Sequence, residues 1–178
     1  MGILVELGYE ADLSTAPPFN CGADGGPDFS ADPAACYWWA TDPPVLEIPT
    51  TGAFVGFGRR NGGALYDWAN SGWRQAARLP GVLSKLGVID RLRLSPEQFT
   101  PEEHRRLTRF LLERGVRVLT FSFHSASLAP GNTAYVRTEG DLARFLDSFR
   151  RYFDFFLGET GGVTMTASEV RRLATSFR

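Results

Sequence analysis

The stretch over residues 116–132 constrains the fold more than any other part of the chain. It reads VRVLTFSFHSASLAPGN, a β-branched and aromatic run that ends in a histidine and passes into small residues and a Pro-Gly turn. This composition predicts a buried strand over 116–124, followed by a loop where the chain returns to the surface. His124 then lies at the last position of the strand, at the edge of the fold, and is the first candidate for a catalytic residue.

The composition is that of an ordinary globular protein. The chain has 178 residues, of which 43% are hydrophobic and 22% charged, so a single domain over 1–178 is long enough to bury a core. A formal net charge of -1 gives no basic surface for nucleic acid or an anionic membrane, and we expect neither as a partner. No apolar run approaches the ~18 residues that span a bilayer, and no signal peptide is recognisable. A cytoplasmic location is the resulting expectation.

Hydrophobic patterns predict an α/β fold. VLEIPT at 45–50 and RLRLS at 91–95 alternate apolar and polar residues, as half-buried strands do. Capping boxes at 100–103 and 166–169 predict the starts of two helices, and phenylalanines at helical spacing after Thr138 predict a third. Strands that alternate with amphipathic helices favour βα units and a parallel sheet.

Alternate residues of a strand face the same side, and this alternation places several polar side chains on one face. On the predicted strand 116–124, one face of small side chains suits the interior of a barrel; it consists of Val118, Thr120 and Ser122. His124 shares its parity. Barrels of parallel strands place their active sites at the carboxyl ends of the strands. If the other strands follow the same parity, Glu47 and Arg93 face this interior too. A salt bridge between them is a hypothesis that rests on alternation alone.

Several other residues have more than one interpretation. The irregular segment 15–44 contains Tyr37, Trp38 and Trp39, which form either a wall for sugar stacking or a cap on the edge of the core. His104 lies in the first turn of a predicted helix among charged residues, and we expect it on the solvated surface. Cys21 and Cys36 are interpreted as reduced thiols. The sequence has no CxxC, HxxxH or HExxH, so it predicts no metal site.

Six segments carry a family resemblance. They are LGYEADLS near the start, GGPDF at 25–29, LEIPTT at 46–51, RLRLSPE at 91–97, VLTFSFHSASLAPGNTAYVR at 118–137 and DFFLGETGG at 154–162. Together they resemble the polysaccharide deacetylase family, the NodB-homology or carbohydrate esterase 4 group, and in particular its WalW-like bacterial members. The last long block is the most specific of the six.

The resemblance implies a distorted (β/α)7 barrel and a divalent metal, often zinc. A metal-bound water would attack the N-acetyl carbonyl of a glycan, with an aspartate as base and a histidine as acid. His124 lies where the last motif of the family has that histidine, and Asp12 lies in the region of its strand-end acids. The candidates for contact with the glycan substrate are Asp12, Glu47, Arg93, Trp38 and Trp39.

The sequence departs from the family in its metal motifs. The TFDD-type strand end and the HxxxH pair of histidines are both absent. We therefore expect the chain to correspond to the C-terminal part of an incomplete barrel, with no cofactor of its own, and catalysis by this chain alone stays an open question. The alternatives are a non-catalytic carbohydrate-binding remnant and a half-barrel that self-associates through exposed strand edges.

Overall fold

The computed structural model describes residues 2–22, 25–59, 62–72 and 79–177, which form a mixed α/β fold. The helices are α1 (Gly2–Glu6), α2 (Gly62–Ala69), α3 (Leu79–Lys85), α4 (Pro101–Leu112), α5 (Glu139–Gly158) and α6 (Ala167–Ser176). The strands are β1 (Ala11–Asp12), β2 (Tyr37–Trp38), β3 (Leu46–Glu47), β4 (Gly52–Val55) and β5 (Asp90–Arg93). A 3₁₀ turn spans Ser125–Leu128. None of the helices in the described ranges is long and apolar enough to cross a membrane.

The strands form two small sheets. In the first, β3 lies between β1, to which it is parallel, and β2, to which it is antiparallel. In the second, β4 and β5 pair antiparallel, with Gly52 opposite Arg93 and Val55 opposite Asp90. Among the described strands, the expectation of a parallel sheet is therefore met by β1 and β3 alone. Within the described residues the two sheets do not close into a barrel.

Two apolar clusters hold these elements together. The main cluster joins the β4–β5 pair to α4 and α5, and its buried members are Val55, Leu92, Leu94, Leu107, Leu111, Val116, Tyr152 and Phe155. A smaller cluster of Leu46, Ile48 and Val170 packs α6 against the first sheet. Burial of side chains of this size stabilises the fold by about 1.5–3 kcal/mol each. The β4–β5 pair thus packs on α4, and α5 packs on α4 in turn.

The predicted helix starts are confirmed. Thr100, Thr138 and Thr166 each cap a helix, and each exchanges hydrogen bonds with the acidic residue three positions later. These caps are readable in the sequence because donor and acceptor lie within four residues of each other. Along α5, Phe145 is buried as its spacing predicts, whereas Leu146 is 45% exposed and lies outside the apolar stripe.

The predicted strand over 116–124 is not formed. The segment has scattered contacts instead of a ladder: the Ser122 N–H donates to the Leu94 carbonyl (3.1 Å), and the Thr120 N–H donates to the Thr51 hydroxyl (2.7 Å). Its side chains divide between the clusters, since Val118 packs against the smaller one and Phe121 against the main one. The segment therefore bridges two cores, which explains its apolar composition without a neighbouring strand.

His104 is buried, so the expectation of a solvated position is wrong. Its side chain is 0% exposed, and the rings of Phe121 and Tyr152 pack edge-on against it at 5.3 and 5.8 Å. Nε2–H donates to the Ser95 carbonyl (2.7 Å), which leaves Nδ1 unprotonated and without a hydrogen-bond partner in the described part of the chain. His104 precedes Leu107 by three positions, so it lies on the apolar stripe of α4 rather than on its charged face.

This burial predicts a pH-dependent stability. Burial lowers the pKa of His104 below its ordinary value of 6.5, so below that pH the unfolded chain takes up a proton that the folded chain does not. The free energy of unfolding is then expected to fall as the pH drops from about 7.5 to about 5.5 and to be level above this window. Urea unfolding of a His124→Gln variant, in which His104 is the only histidine, measures this directly.

The matched control is the double variant His104→Gln, His124→Gln, which has no histidine. Its free energy of unfolding should be level between about pH 5.5 and 7.5, since an amide side chain does not titrate there. An equal slope in both variants would show that other groups cause the pH dependence and that the burial of His104 does not.

Candidate active site

A buried glutamate, Glu97, holds the exposed ring of His124. The Glu97 side chain is 7% exposed and the His124 side chain 69%. His124 Nδ1 lies 2.7 Å from Glu97 Oε2, and the His124 backbone N–H donates to Oε1 at 3.0 Å. A carboxylate only accepts, so Nδ1 carries the proton and Nε2 is left facing solvent.

Both residues follow segments that are anchored in the main cluster. Glu97 lies four residues after the end of β5, in a turn where its own N–H donates to the Ser95 hydroxyl (3.3 Å). His124 comes two residues after Ser122, whose N–H donates to the carbonyl of the fully buried Leu94. The chain therefore brings the carboxylate and the imidazole together at the ends of two neighbouring segments, 27 residues apart in sequence.

A chain of hydroxyl groups completes the environment of Glu97. The buried Ser127 hydroxyl donates to Glu97 Oε1 (2.6 Å), and it accepts from the Thr133 hydroxyl (3.0 Å). Thr133 in turn accepts from the Val136 N–H (3.3 Å). Glu97 thus accepts three hydrogen bonds, and the loop after His124 is tied to the same carboxylate. The Tyr135 ring lies nearly parallel to the imidazole, with centroids 6.2 Å apart.

This geometry suits proton transfer at Nε2. A carboxylate bound to Nδ1–H fixes the ring orientation and tautomer and balances the positive charge when the ring takes up a proton. Nε2 is then the atom that exchanges a proton with a bound ligand. Ser127 does not have the position of a nucleophile, because it is buried and its proton is directed to Glu97 rather than to the imidazole.

Glu47 and Asp12 lie at the carboxyl ends of the parallel strands β3 and β1, but their oxygens are engaged. Glu47 is 0% exposed and accepts from the Thr15 N–H (3.2 Å), the Thr15 hydroxyl (2.7 Å) and the Trp39 indole (3.1 Å). Asp12 accepts from the N–H and the hydroxyl of Ser14, at 3.1 and 2.9 Å. Glu47 therefore joins the 13–15 turn and Trp39 to β3, and neither carboxylate is brought together with His124.

Arg93 does not pair with Glu47. The hypothesised salt bridge is not formed, since the acceptor atoms of Glu47 bind Thr15 and Trp39. Within the described ranges Arg93 has no carboxylate at salt-bridge distance, and its guanidinium lies 5.5 Å from the centre of the Phe19 ring.

The aromatic residues 37–39 lie at the edge of the first sheet. Tyr37 and Trp38 form β2, and Trp38 packs on the smaller cluster. The Tyr37 and Trp39 rings meet edge-on with centroids 5.4 Å apart. Burial raises the pKa of Tyr37, with the charge of Glu47 as a further cause. All three residues are half-buried, a position compatible with both interpretations, the cap on the core and the wall for sugar stacking.

The described residues do not fit a divalent metal. No group of three or more His, Cys, Asp or Glu side chains converges in the described part of the chain. Glu47 and Asp12 already bind N–H and O–H donors, and the free thiols Cys21 and Cys36 are only partly exposed. We therefore derive no chemical step through a metal.

A cavity of about 510 Å³ lies elsewhere, between the 117–121 segment, α5 and α6. Its walls are mainly apolar, with Phe121, Phe153, Phe156 and Met165 among them. Neither Glu97 nor His124 lines it, so the cavity is not part of the candidate site.

No family model, no curated protein and no solved structure matches the chain. The case for a functional site therefore rests on its geometry. Sequence reasoning singled out His124 but missed Glu97. The sequence shows an acidic residue just after the alternating segment RLRLS, but nothing in it links this residue to His124, 27 positions later.

The buried carboxylate gives a direct stability prediction. Glu97→Gln places an NH2 donor opposite groups that themselves donate, so at least one hydrogen bond is lost in a buried site. We expect urea unfolding to show a loss of about 1–3 kcal/mol. The control is Glu113→Gln, whose side chain is 74% exposed and whose substitution should change the free energy by less than about 0.5 kcal/mol. Equal stability of the two variants would contradict the role given to Glu97.

Proposed function

We propose that this chain supplies the proton-donating histidine of a polysaccharide deacetylase-like site, acting on the N-acetyl or another acyl group of a glycan. The observation that carries the proposal is the Glu97–His124 pair, with Nδ1 fixed at 2.7 Å from the carboxylate on a side chain that is 69% exposed. Deacylation of an N-acetyl sugar needs a proton on the departing amine. The exposed Nε2 can take up a proton from solvent and then deliver it to that amine, while Glu97 balances the charge of the doubly protonated ring.

The sequence around the histidine supports the same assignment. The segment VLTFSFHSASLAPGNTAYVR resembles the last motif of the family, and it contains both His124 and Ser127. In the same light, we take the fold as the C-terminal part of a distorted (β/α)7 barrel. The parallel β1–β3 pair and the helices packed on the β4–β5 pair are compatible with this assignment. The proposal covers proton transfer only, because the described residues do not supply a metal site.

Acetate release tests the function. Purified chain is incubated with N-acetylated chitooligosaccharides, with and without Zn²⁺ or Co²⁺, and free acetate is measured. We expect His124→Gln to lower the rate by roughly 10²–10⁴-fold and Glu97→Gln to lower it less, with glycan affinity retained. The control Arg150→Gln changes a 71% exposed side chain on α5 and should leave the rate unchanged. Equal rates for the wild type and His124→Gln would contradict the proposal.

The second candidate is a non-catalytic carbohydrate-binding protein. It is favoured by the three half-buried rings of Tyr37, Trp38 and Trp39, since partly exposed aromatic faces stack on sugars. In that case glycans change the tryptophan fluorescence, Trp38→Ala weakens the change, and no acylated glycan yields acetate. Acetate release that depends on His124 would exclude this alternative. Light scattering distinguishes a self-associating form, which would scatter as a dimer or larger.

A further inference from the structure

The face of the β4–β5 pair that points away from the main cluster carries two arginines. Leu92 and Leu94 pack into the main cluster, so Arg91 and Arg93, which alternate with them, line the opposite face. In register with the arginines, Phe54 lies opposite Arg91 and Gly52 opposite Arg93. Two positive charges thus occupy adjacent positions on one side of a single strand.

Aromatic rings enclose these arginines. The Arg91 guanidinium carbon lies 4.5 Å from the centre of the Phe19 ring and 4.4 Å from that of Tyr66, so the group is held between two rings. The Arg93 guanidinium carbon is 5.5 Å from the Phe19 ring. A side chain at Gly52 would come within 3.0 Å of Phe19 and 2.5 Å of the Pro17 carbonyl, so this glycine makes room for the ring.

Neither arginine has a counter-charge within the described ranges. Both are half-buried, and no carboxylate or side-chain hydrogen-bond partner of the described residues contacts them; Arg93 Nε is buried without a partner among the same residues. Cation–π contacts return about 0.5–2 kcal/mol but leave the in-plane N–H donors unused. Among these donors Arg93 Nε is buried with no hydrogen-bond partner in the described part of the chain, which is costly.

Three other arginines that lie over aromatic rings do pair with a carboxylate. Arg105 and Arg109 lie 5.0 and 5.2 Å from the Phe155 ring, and both pair with Glu159 at 3.2 and 3.0 Å. Arg171 lies 6.0 Å from the Trp38 ring and pairs with Glu10 at 3.2 Å. In these cases a carboxylate of the chain itself satisfies the in-plane donors, whereas Arg91 and Arg93 pair with no carboxylate among the residues that the structure describes.

We propose that Arg91 and Arg93 form a binding site for an oxyanion group, a phosphate or a carboxylate, carried by a small ligand such as an acidic or phosphorylated sugar. The planar guanidinium presents paired N–H donors that match two oxygens of such a group. The rings of Phe19 and Tyr66 hold the guanidinium planes in place, so little side-chain freedom is lost on binding. This site uses none of the residues of the Glu97–His124 pair and goes beyond the proposed function.

Binding measurements on the full chain test the site. Inorganic phosphate, glucuronate and glucose 6-phosphate are titrated separately by calorimetry, with glucose as the neutral control. We expect one saturable site for at least one of the three anions, no binding of glucose, and an affinity that falls as salt rises. Preference for glucuronate identifies a carboxylate ligand, and preference for the phosphates identifies a phosphoryl one. Absence of binding for all three would overturn the proposal.

Variants separate a binding role from a structural one. Arg91→Gln and Arg93→Gln should each weaken the anion affinity at least tenfold, whereas Arg109→Gln, a stacked arginine with its own carboxylate, should leave it unchanged. Without anion, both Gln variants should be at least as stable as the wild type, because an unpaired half-buried charge is removed. Equal anion affinity in all three variants, or a loss of stability without a loss of affinity, would contradict the site.

The anion-binding site is tested independently of the deacetylase proposal. Acetate release reports on His124, and anion affinity reports on Arg91 and Arg93, so either can fail while the other stands. Arg91→Lys keeps the charge but loses the planar fork, and an affinity between those of the wild type and Arg91→Gln is expected. Full retention of affinity by Arg91→Lys would show that a positive charge alone is sufficient for binding, and it would contradict the role given to the paired N–H donors.

Discussion

The Glu97 carboxylate is the contact on which the candidate site depends. The segment leading to His124 has no strand ladder to set its position, and its backbone is joined to the neighbouring chain at only a few points. Glu97 supplies the missing anchor by accepting from the backbone and the ring of His124 and from Ser127. Hydrogen bonds to a charged group contribute about 1.5–3 kcal/mol each, so this one side chain fixes both the imidazole and the loop after it.

The anchor is itself mounted on the main core. Glu97 follows β5, whose Leu92 and Leu94 are buried against α4 and α5. His104 adds a second support, because its Nε2–H donates to the carbonyl of Ser95 at the start of the turn that carries Glu97. The buried His104 thus holds the turn whose Glu97 positions the exposed His124. The described chain combines a rigid carboxylate and an accessible ring, which is the arrangement that proton transfer requires.

Interactions between residues close in sequence were predictable from the sequence, whereas those between distant residues were not. The caps at Thr100, Thr138 and Thr166 were predictable because each is made within four residues. The 116–124 segment was not, because an apolar alternating run looks the same whether it pairs with a strand or bridges two clusters. His104 was misplaced because charged neighbours outweighed its spacing from Leu107, although that spacing puts it on the apolar stripe. Glu97 needed a contact over 27 positions, which no local pattern encodes.

The tautomer of His124 shows whether Glu97 holds the ring. Nitrogen-15 spectra of the two histidine rings identify which nitrogen of each carries the proton, and the His104→Gln variant assigns the signals. At a pH where the ring is neutral, we expect a proton on Nδ1 of His124, held against exchange by Glu97, and a bare Nε2. A proton on Nε2 of His124, or a ring that averages freely between tautomers, would show that Glu97 does not position the imidazole.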